Sequence, residues 1–298
     1  MIVPPSKGLG LAILPLVTGD LRARVDATLA AFLDARRDEV EHLDPAARPL
    51  VDEVRRLVEA GGKRIRPAFC YWGFRAAGGE DGEAIVRAAA SLELLHTMAL
   101  VHDDLIDGAK ERRGVPSTAV WFSERASELE APGDPGDFGT STAILVGDVS
   151  AVWADGLLLA SGFSPGVLVP ALGVYHDMKE RMAVGQYLDV GGAAGDPEVA
   201  RRAASLKGGS YTVEGPLLIG AALAGGSPAV TERLSRFGRP LGEAFQLRDD
   251  LEDGEAAAGV TPETVNGLVA EAKASLAPAV LAAASIPALS DLADRVAM

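Results

Sequence analysis

A chain of 298 residues, 48% of them hydrophobic, is long enough to bury one large core or two small ones. Its 42 acidic against 28 basic side chains leave a formal charge of −14. That excludes nucleic acid as a partner, because binding a phosphate backbone needs basic surface. One cysteine, Cys70, rules out an intrachain disulfide and fits a reducing cytoplasm.

The elements follow in chain order. Residues 1–17 are apolar with Pro4, Pro5 and Pro15 and are expected to form an arm; no basic segment there leads into an apolar export signal. Thr18 or Asp20 caps a helix running to about Glu39, and a second spans Pro45 to Glu59. Gly61-Gly62-Lys63-Arg64-Ile65-Arg66-Pro67 then reads in two ways. It is either a helix end with basic residues favouring the dipole, or an anion pocket in which Lys63 and Arg66 grip a diphosphate. A helix follows from Pro67 to about Ala77.

Residues 82–107 form a long apolar helix that turns sharply acidic at Asp103, Asp104 and Asp107. Asp103 and Asp107 are four apart and share a face. Carboxylates this close repel unless a cation sits between them, and oxygen-only ligands suit Mg²⁺. His96 lies two turns back on that face, as a core histidine or as part of an anion site. Arg112 and Arg113 follow, as a solvated basic loop or as a phosphate clamp. Residues 125–139 read as a surface loop, and Ser141 to Leu159 as an apolar helix whose Asp148 makes a structural hydrogen bond. The uncharged run 156–175 is long enough to raise a membrane span, but Pro165 and Pro170 divide it into two buried pieces joined at Ser164-Pro165-Gly166, so no transmembrane segment is expected.

A helix over 171–190 carries Gln186 and Asp189 on one face. Another, over 197–223, carries Lys207 and is interrupted by Gly208-Gly209, with a kink at Gly215-Pro216. Lys207 either meets an anion or snorkels to the surface. The helix over 229–253 repeats the acidic pattern as Gln246-Leu247-Arg248-Asp249-Asp250-Leu251-Glu252-Asp253. Two acidic helix ends facing each other can hold divalent metals that polarise a pyrophosphate. Helices near Pro262–Ala277 and Ile286–Val296 close the chain.

Taken together, these pieces resemble the polyprenyl synthetases, the trans-type isoprenyl diphosphate synthases. The matching runs are Gly61–Pro67, Leu95–Asp107, Arg112-Arg113-Gly114, Phe138–Asp148, Gly185-Gln186-Tyr187-Leu188-Asp189 and Gly242–Asp253. The resemblance implies one isoprenoid synthase-like domain over 1–298, an all-α bundle around a central apolar cavity, working as a cytoplasmic homodimer. It implies that Asp103, Asp104 and Asp107 face Asp249, Asp250 and Asp253 across the mouth and hold up to three Mg²⁺ ions. Arg112 and Lys207 would bind the allylic diphosphate. Lys63, Arg66, His96 and Arg113 would hold isopentenyl diphosphate, and Gln186 and Gln246 would line the reacting centre.

The implied reaction is head-to-tail condensation of isopentenyl diphosphate with dimethylallyl, geranyl or farnesyl diphosphate. The positions where the family halts chain growth are here Met98 and Ala99; neither is a bulky aromatic, so products of about twenty carbons or more are expected. The sequence departs from the family at Gly208, where a threonine is usual, and after Asp253, where no lysine appears until Lys273. A shortened or missing segment near 253–259 is one reading of that gap. A terpene cyclase on the same bundle and a non-catalytic subunit of a prenyl synthase are the rival functions.

Overall fold

The computed structural model describes residues 19–112, 114–191, 197–254 and 260–297. The arm at 1–17, Thr18, Arg113 and residues 255–259 of the gap lie outside them, as does the Asp253 side chain. The described residues are an all-α bundle. In order the helices are α1 Gly19–Leu43, α2 Arg48–Glu59, α3 Ile65–Ala76, α4 Glu83–Ile106, α5 Thr118–Glu124, α6 Pro135–Leu159 and α7 Pro165–Val190. They continue with α8 Pro197–Ala204, a π-helical segment Ser205–Glu214, α9 Gly215–Leu223, α10 Pro228–Asp253, α11 Pro262–Ala274 and α12 Ile286–Ala297.

Apolar spacing explains the packing. On α1, Leu21, Val25, Leu29 and Leu33 recur every four residues and are all buried, so one stripe faces inward. Leu234, Phe237, Leu241 and Ala244, three and four apart, form a buried stripe on α10 in the same way. α4 is apolar on most sides, and Leu92, Leu94 and Leu95 are buried together, which makes it the central rod of the bundle. α4 and α6 are long and apolar enough to cross a membrane, yet 67% and 50% of their most apolar windows are buried against other helices.

Three expectations change. Residues 125–139 are not all loop: α6 starts at Pro135, because Asp134 caps it by accepting from the Gly136 and Asp137 amides. An Asp-Pro pair at a helix start is a cap followed by a residue preset for the first turn. α5 is a short helix that the sequence pattern did not announce. The glycines after Lys207 do not break the helix; they widen it into the π-helical segment, which runs on into α9 at Gly215.

The turn before α3 is held by a buried ion cluster. Arg64 sits at φ +50°, a left-handed conformation that non-glycine residues adopt at a cost. Its guanidinium donates to Asp26 at 2.8 Å, to Glu93 at 2.7 Å and to the Val58 carbonyl at 2.8 Å. Glu93 is 5% exposed and lies on the central rod, so the cluster ties α1, α2 and α4 to this turn. Arg64→Met is expected to destabilise the fold by about 3–5 kcal/mol in urea unfolding, because it strands the Glu93 charge. The double variant Arg64→Met/Glu93→Leu should recover most of that loss.

Candidate active site

A cavity of about 810 Å³ opens between α4, α7, the π-helical segment and α10. α4, α7 and α10 all end at its mouth, so the residues of their last turns form a rim and earlier residues line the depth. The rim brings together what the sequence had only paired by pattern. Asp103 from the first acidic end and Asp249 from the second both line the cavity, with Gln186, Lys207 and Gln246. Met98 and Ala99 line it further in, on the preceding turns of α4.

Lys207 and Arg112 answer the charges of Asp103, Asp104 and Asp189 at the rim. Lys207 Nζ lies 3.0 Å from Asp103 Oδ1 and 2.9 Å from Asp189 Oδ2. Burial works against this ammonium, but its bonds to Asp189 and Asp103 outweigh it and hold its pKa above the usual lysine value. A two-residue antiparallel hairpin, Glu111–Arg112 against Val115–Pro116, presents Arg112. Arg112 Nε and Nη2 lie 2.7 and 2.6 Å from Asp104 Oδ1, and Nη2 is 3.7 Å from Asp103. Burial again opposes the charge and is again outweighed, here by Asp104, so the Arg112 pKa rises. Asp107 ends α4 exposed; desolvation first, then the neighbouring Asp103 charge, push its pKa up.

The second acidic end is ordered differently. Gln246 Nε2 donates to Asp250 Oδ1 at 2.8 Å, one turn on. Arg248, 7% exposed, donates to Asp249 Oδ1 at 2.7 Å and to the Arg295 and Val296 carbonyls of α12. Gly254 in a left-handed conformation closes α10 directly after the motif.

The three cations of Gly61–Pro67 go three ways. Arg64 is the buried ion cluster of the fold. Arg66 lines the cavity, donates to Thr212 Oγ1 at 2.9 Å and stacks 4.4 Å from the Tyr211 ring centroid. Lys63 is exposed and is not among the cavity-lining side chains. His96 lines the same wall, its ring 6.3 Å from that of Tyr211.

Sequence reading gave no role to Asp189, Tyr211, Thr212 or Arg248. Only Asp189 carried a signal, its i,i+3 spacing from Gln186. Tyr211 and Thr212 reach the cavity because the π-helical segment alters the facing that a regular helix would give them.

Two glycines set the approach of the walls. A Cβ on Gly185 would lie 2.5 Å from the Lys207 backbone nitrogen and 2.9 Å from the Ala203 carbonyl, so α7 reaches the π-helical segment only without a side chain there. A Cβ on Gly208 would meet only the Gln246 carboxamide, the end of a flexible chain.

These features define a class first: an all-helical protein whose apolar chamber opens between two acidic helix ends. The chain belongs to the polyprenyl synthetase family, whose model matches residues 48–287. It is 31% identical over 242 residues to the short chain isoprenyl diphosphate synthase of Methanothermobacter thermautotrophicus, covering 80% of this chain and 68% of that one. It is 32% identical over 249 residues, with the same coverages, to the geranylgeranyl diphosphate synthase of Methanosarcina mazei. The crystal structure of geranylgeranyl pyrophosphate synthase from Corynebacterium glutamicum, complexed with isoprenyl diphosphate and magnesium, is similar with a TM-score of 0.86 at 28% identity. That match covers 95% of this chain and 99% of that one.

The two glycines separate rigid from yielding contacts. Gly185→Ala is expected to destabilise by about 1–3 kcal/mol, because backbone stands in the way. Gly208→Ala should change thermal unfolding little, because the carboxamide can swing aside. Thermal unfolding of the two variants side by side checks the difference.

Proposed function

We propose that this protein is a trans-prenyltransferase that condenses isopentenyl diphosphate with an allylic diphosphate to give a chain of about twenty carbons or more. One observation carries the reading: carboxylates from two distant segments, Asp103 and Asp249, line one cavity together with Lys207 and Arg66. The relatives' names, among them geranylgeranyl and geranylfarnesyl diphosphate synthases, favour chain elongation over cyclisation.

The rim fits Mg²⁺ by its donor chemistry. The candidate ligands are carboxylates, Asp103, Asp104 and Asp107 on one side and Asp249, Asp250 and Asp253 on the other, and oxygen-only donors suit this ion. Among the described residues no three such side chains are yet gathered as one metal cluster. Up to three ions are part of the proposal. Bound there, they supply positive charge that stabilises a departing pyrophosphate.

The chain's own residues do the rest. Lys207 and Arg112 bind the allylic diphosphate and add cationic charge where negative charge develops. Arg66 and His96, with Lys63 and Arg113, hold isopentenyl diphosphate, whose double bond must face the allylic carbon. Gln186 and Gln246 line the space between. The allylic C–O bond breaks with both electrons leaving on pyrophosphate. The isopentenyl double bond attacks the resulting cation, and the product loses a proton to the released pyrophosphate. The apolar wall excludes water that would otherwise capture the cation.

The proposal extends to assembly and location. It reads residues 1–298 as one domain and the active form as a homodimer. An outer stripe of α6, with Leu145 and Val152 at 54% and 65% exposure and Ile144 and Leu159 beside them, suits a second copy. The reaction runs in the cytoplasm; the lone thiol, Cys70, is buried there and pushed up to about 12, which makes it inert.

Incubation with Mg²⁺, labelled isopentenyl diphosphate and each allylic primer, followed by sizing of products, tests the function. Longer diphosphates are expected. Hydrocarbon formed from the allylic substrate alone, or no turnover with any primer, would overturn it. Asp103→Ala should cut turnover at least about 100-fold while far-UV circular dichroism stays unchanged. Near wild-type turnover in that variant would remove the first acidic end from the mechanism.

A further inference from the structure

The cations around the cavity are held in two different ways. Of the lysines and arginines that line it, Lys207 is shared by Asp103 and Asp189, and Lys179 Nζ lies 2.9 Å from Asp155 Oδ1. Arg112 at the rim is gripped by Asp104. Arg66 also lines the cavity, yet among the described residues it pairs with no carboxylate. Its partners are neutral.

Those partners are two successive residues of the π-helical segment. Arg66 Nη2 donates to Thr212 Oγ1 at 2.9 Å, across 146 residues of chain. The guanidinium carbon lies over the Tyr211 ring, 4.4 Å from its centroid. Tyr211 is 4% exposed and Thr212 1%, so close packing fixes both side chains. The ring face restrains the tilt of the guanidinium, and the hydroxyl restrains its rotation. The Tyr211 hydroxyl is itself buried without a hydrogen-bond partner among the described residues, so the ring is what this residue contributes.

The consequence is electrostatic. A carboxylate that steadied Arg66 would also offset the charge it presents to an anion, and the pair would have to be parted or shared when a diphosphate arrives. An aromatic face and a hydroxyl steady the arginine at full charge. Thr212 takes a single N–H of the guanidinium fork, so others remain for phosphate oxygens. A long side chain held in place beforehand also gives up less freedom when its ligand binds.

We propose that Tyr211 and Thr212 form a charge-sparing clasp that positions Arg66 for the diphosphate of the isopentenyl substrate. Both are positioning residues, because they act through Arg66. The inference rests on the assignment of Arg66 to isopentenyl diphosphate made above.

The test is the split between the two substrates. KM is measured for isopentenyl diphosphate and for the preferred allylic primer, each with the other saturating and Mg²⁺ present. Thr212→Val keeps the shape and loses the hydrogen bond; Tyr211→Leu loses the ring. Each should raise KM for isopentenyl diphosphate about fivefold or more and move that for the primer less than about twofold. Thr212→Ser and Tyr211→Phe keep the hydroxyl and the ring, and should bring the isopentenyl value back to within about twofold of wild type. Thr212→Val is nearly isosteric and decides the matter if Tyr211→Leu fails to fold. Arg66→Met is the reference and should raise the isopentenyl KM at least as far. If it does so and folded Thr212→Val does not, the clasp is overturned and the role of Arg66 stands. An equal rise for both substrates also overturns the clasp, because it marks a general distortion of the site. An unchanged isopentenyl KM in Arg66→Met overturns the assignment and the clasp together, and no elongation by wild type overturns the function with them.

Discussion

Carboxylates gathered within one helical turn repel each other unless cations stand between them, and at this cavity's mouth the protein supplies its own. Lys207 is shared by Asp103 and Asp189, and Arg112 grips Asp104 while reaching toward Asp103. That arrangement keeps an acidic rim intact in a chain of net charge −14. On the proposed reading the same two cations also serve the incoming diphosphate. An anion that draws Lys207 and Arg112 toward itself leaves Asp103 and Asp104 free to take metal ions, so the two ligands favour each other's binding.

Support for the rim comes from well outside it. The Arg64 cluster fixes the turn that delivers Arg66, and Glu93 of that cluster lies on the same helix as Asp103. At the second acidic end, Arg248 joins Asp249 to the last carbonyls of α12. The acidic residues thus stand on packed helices and not on loops. Such placement limits how far they can drift from a working geometry.

Much of this was legible in the sequence because periodicity and charge coincide there. Apolar runs ending in Asp103–Asp107 and Asp249–Asp253 predicted two helix ends, and both exist where expected. Ser164-Pro165-Gly166 predicted the break between α6 and α7. The early start of α6 was missed because the acidic, glycine-rich stretch before it hid an Asp134 cap. The three-way fate of Lys63, Arg64 and Arg66 was illegible, because neighbouring cations look alike until tertiary partners such as Glu93 and Thr212 are known.

The π-helical segment Ser205–Glu214 has a consequence for comparing this chain with others. Its turns are wider than those of an α-helix, so side chains slip in phase as the rod passes through it. One uninterrupted rod can then aim Lys207 at one neighbour and Tyr211 with Thr212 at another. A related protein with a regular helix here would need fewer residues to span the same length. Matching the two chains position by position would then pair side chains that point in different directions, beginning within this stretch.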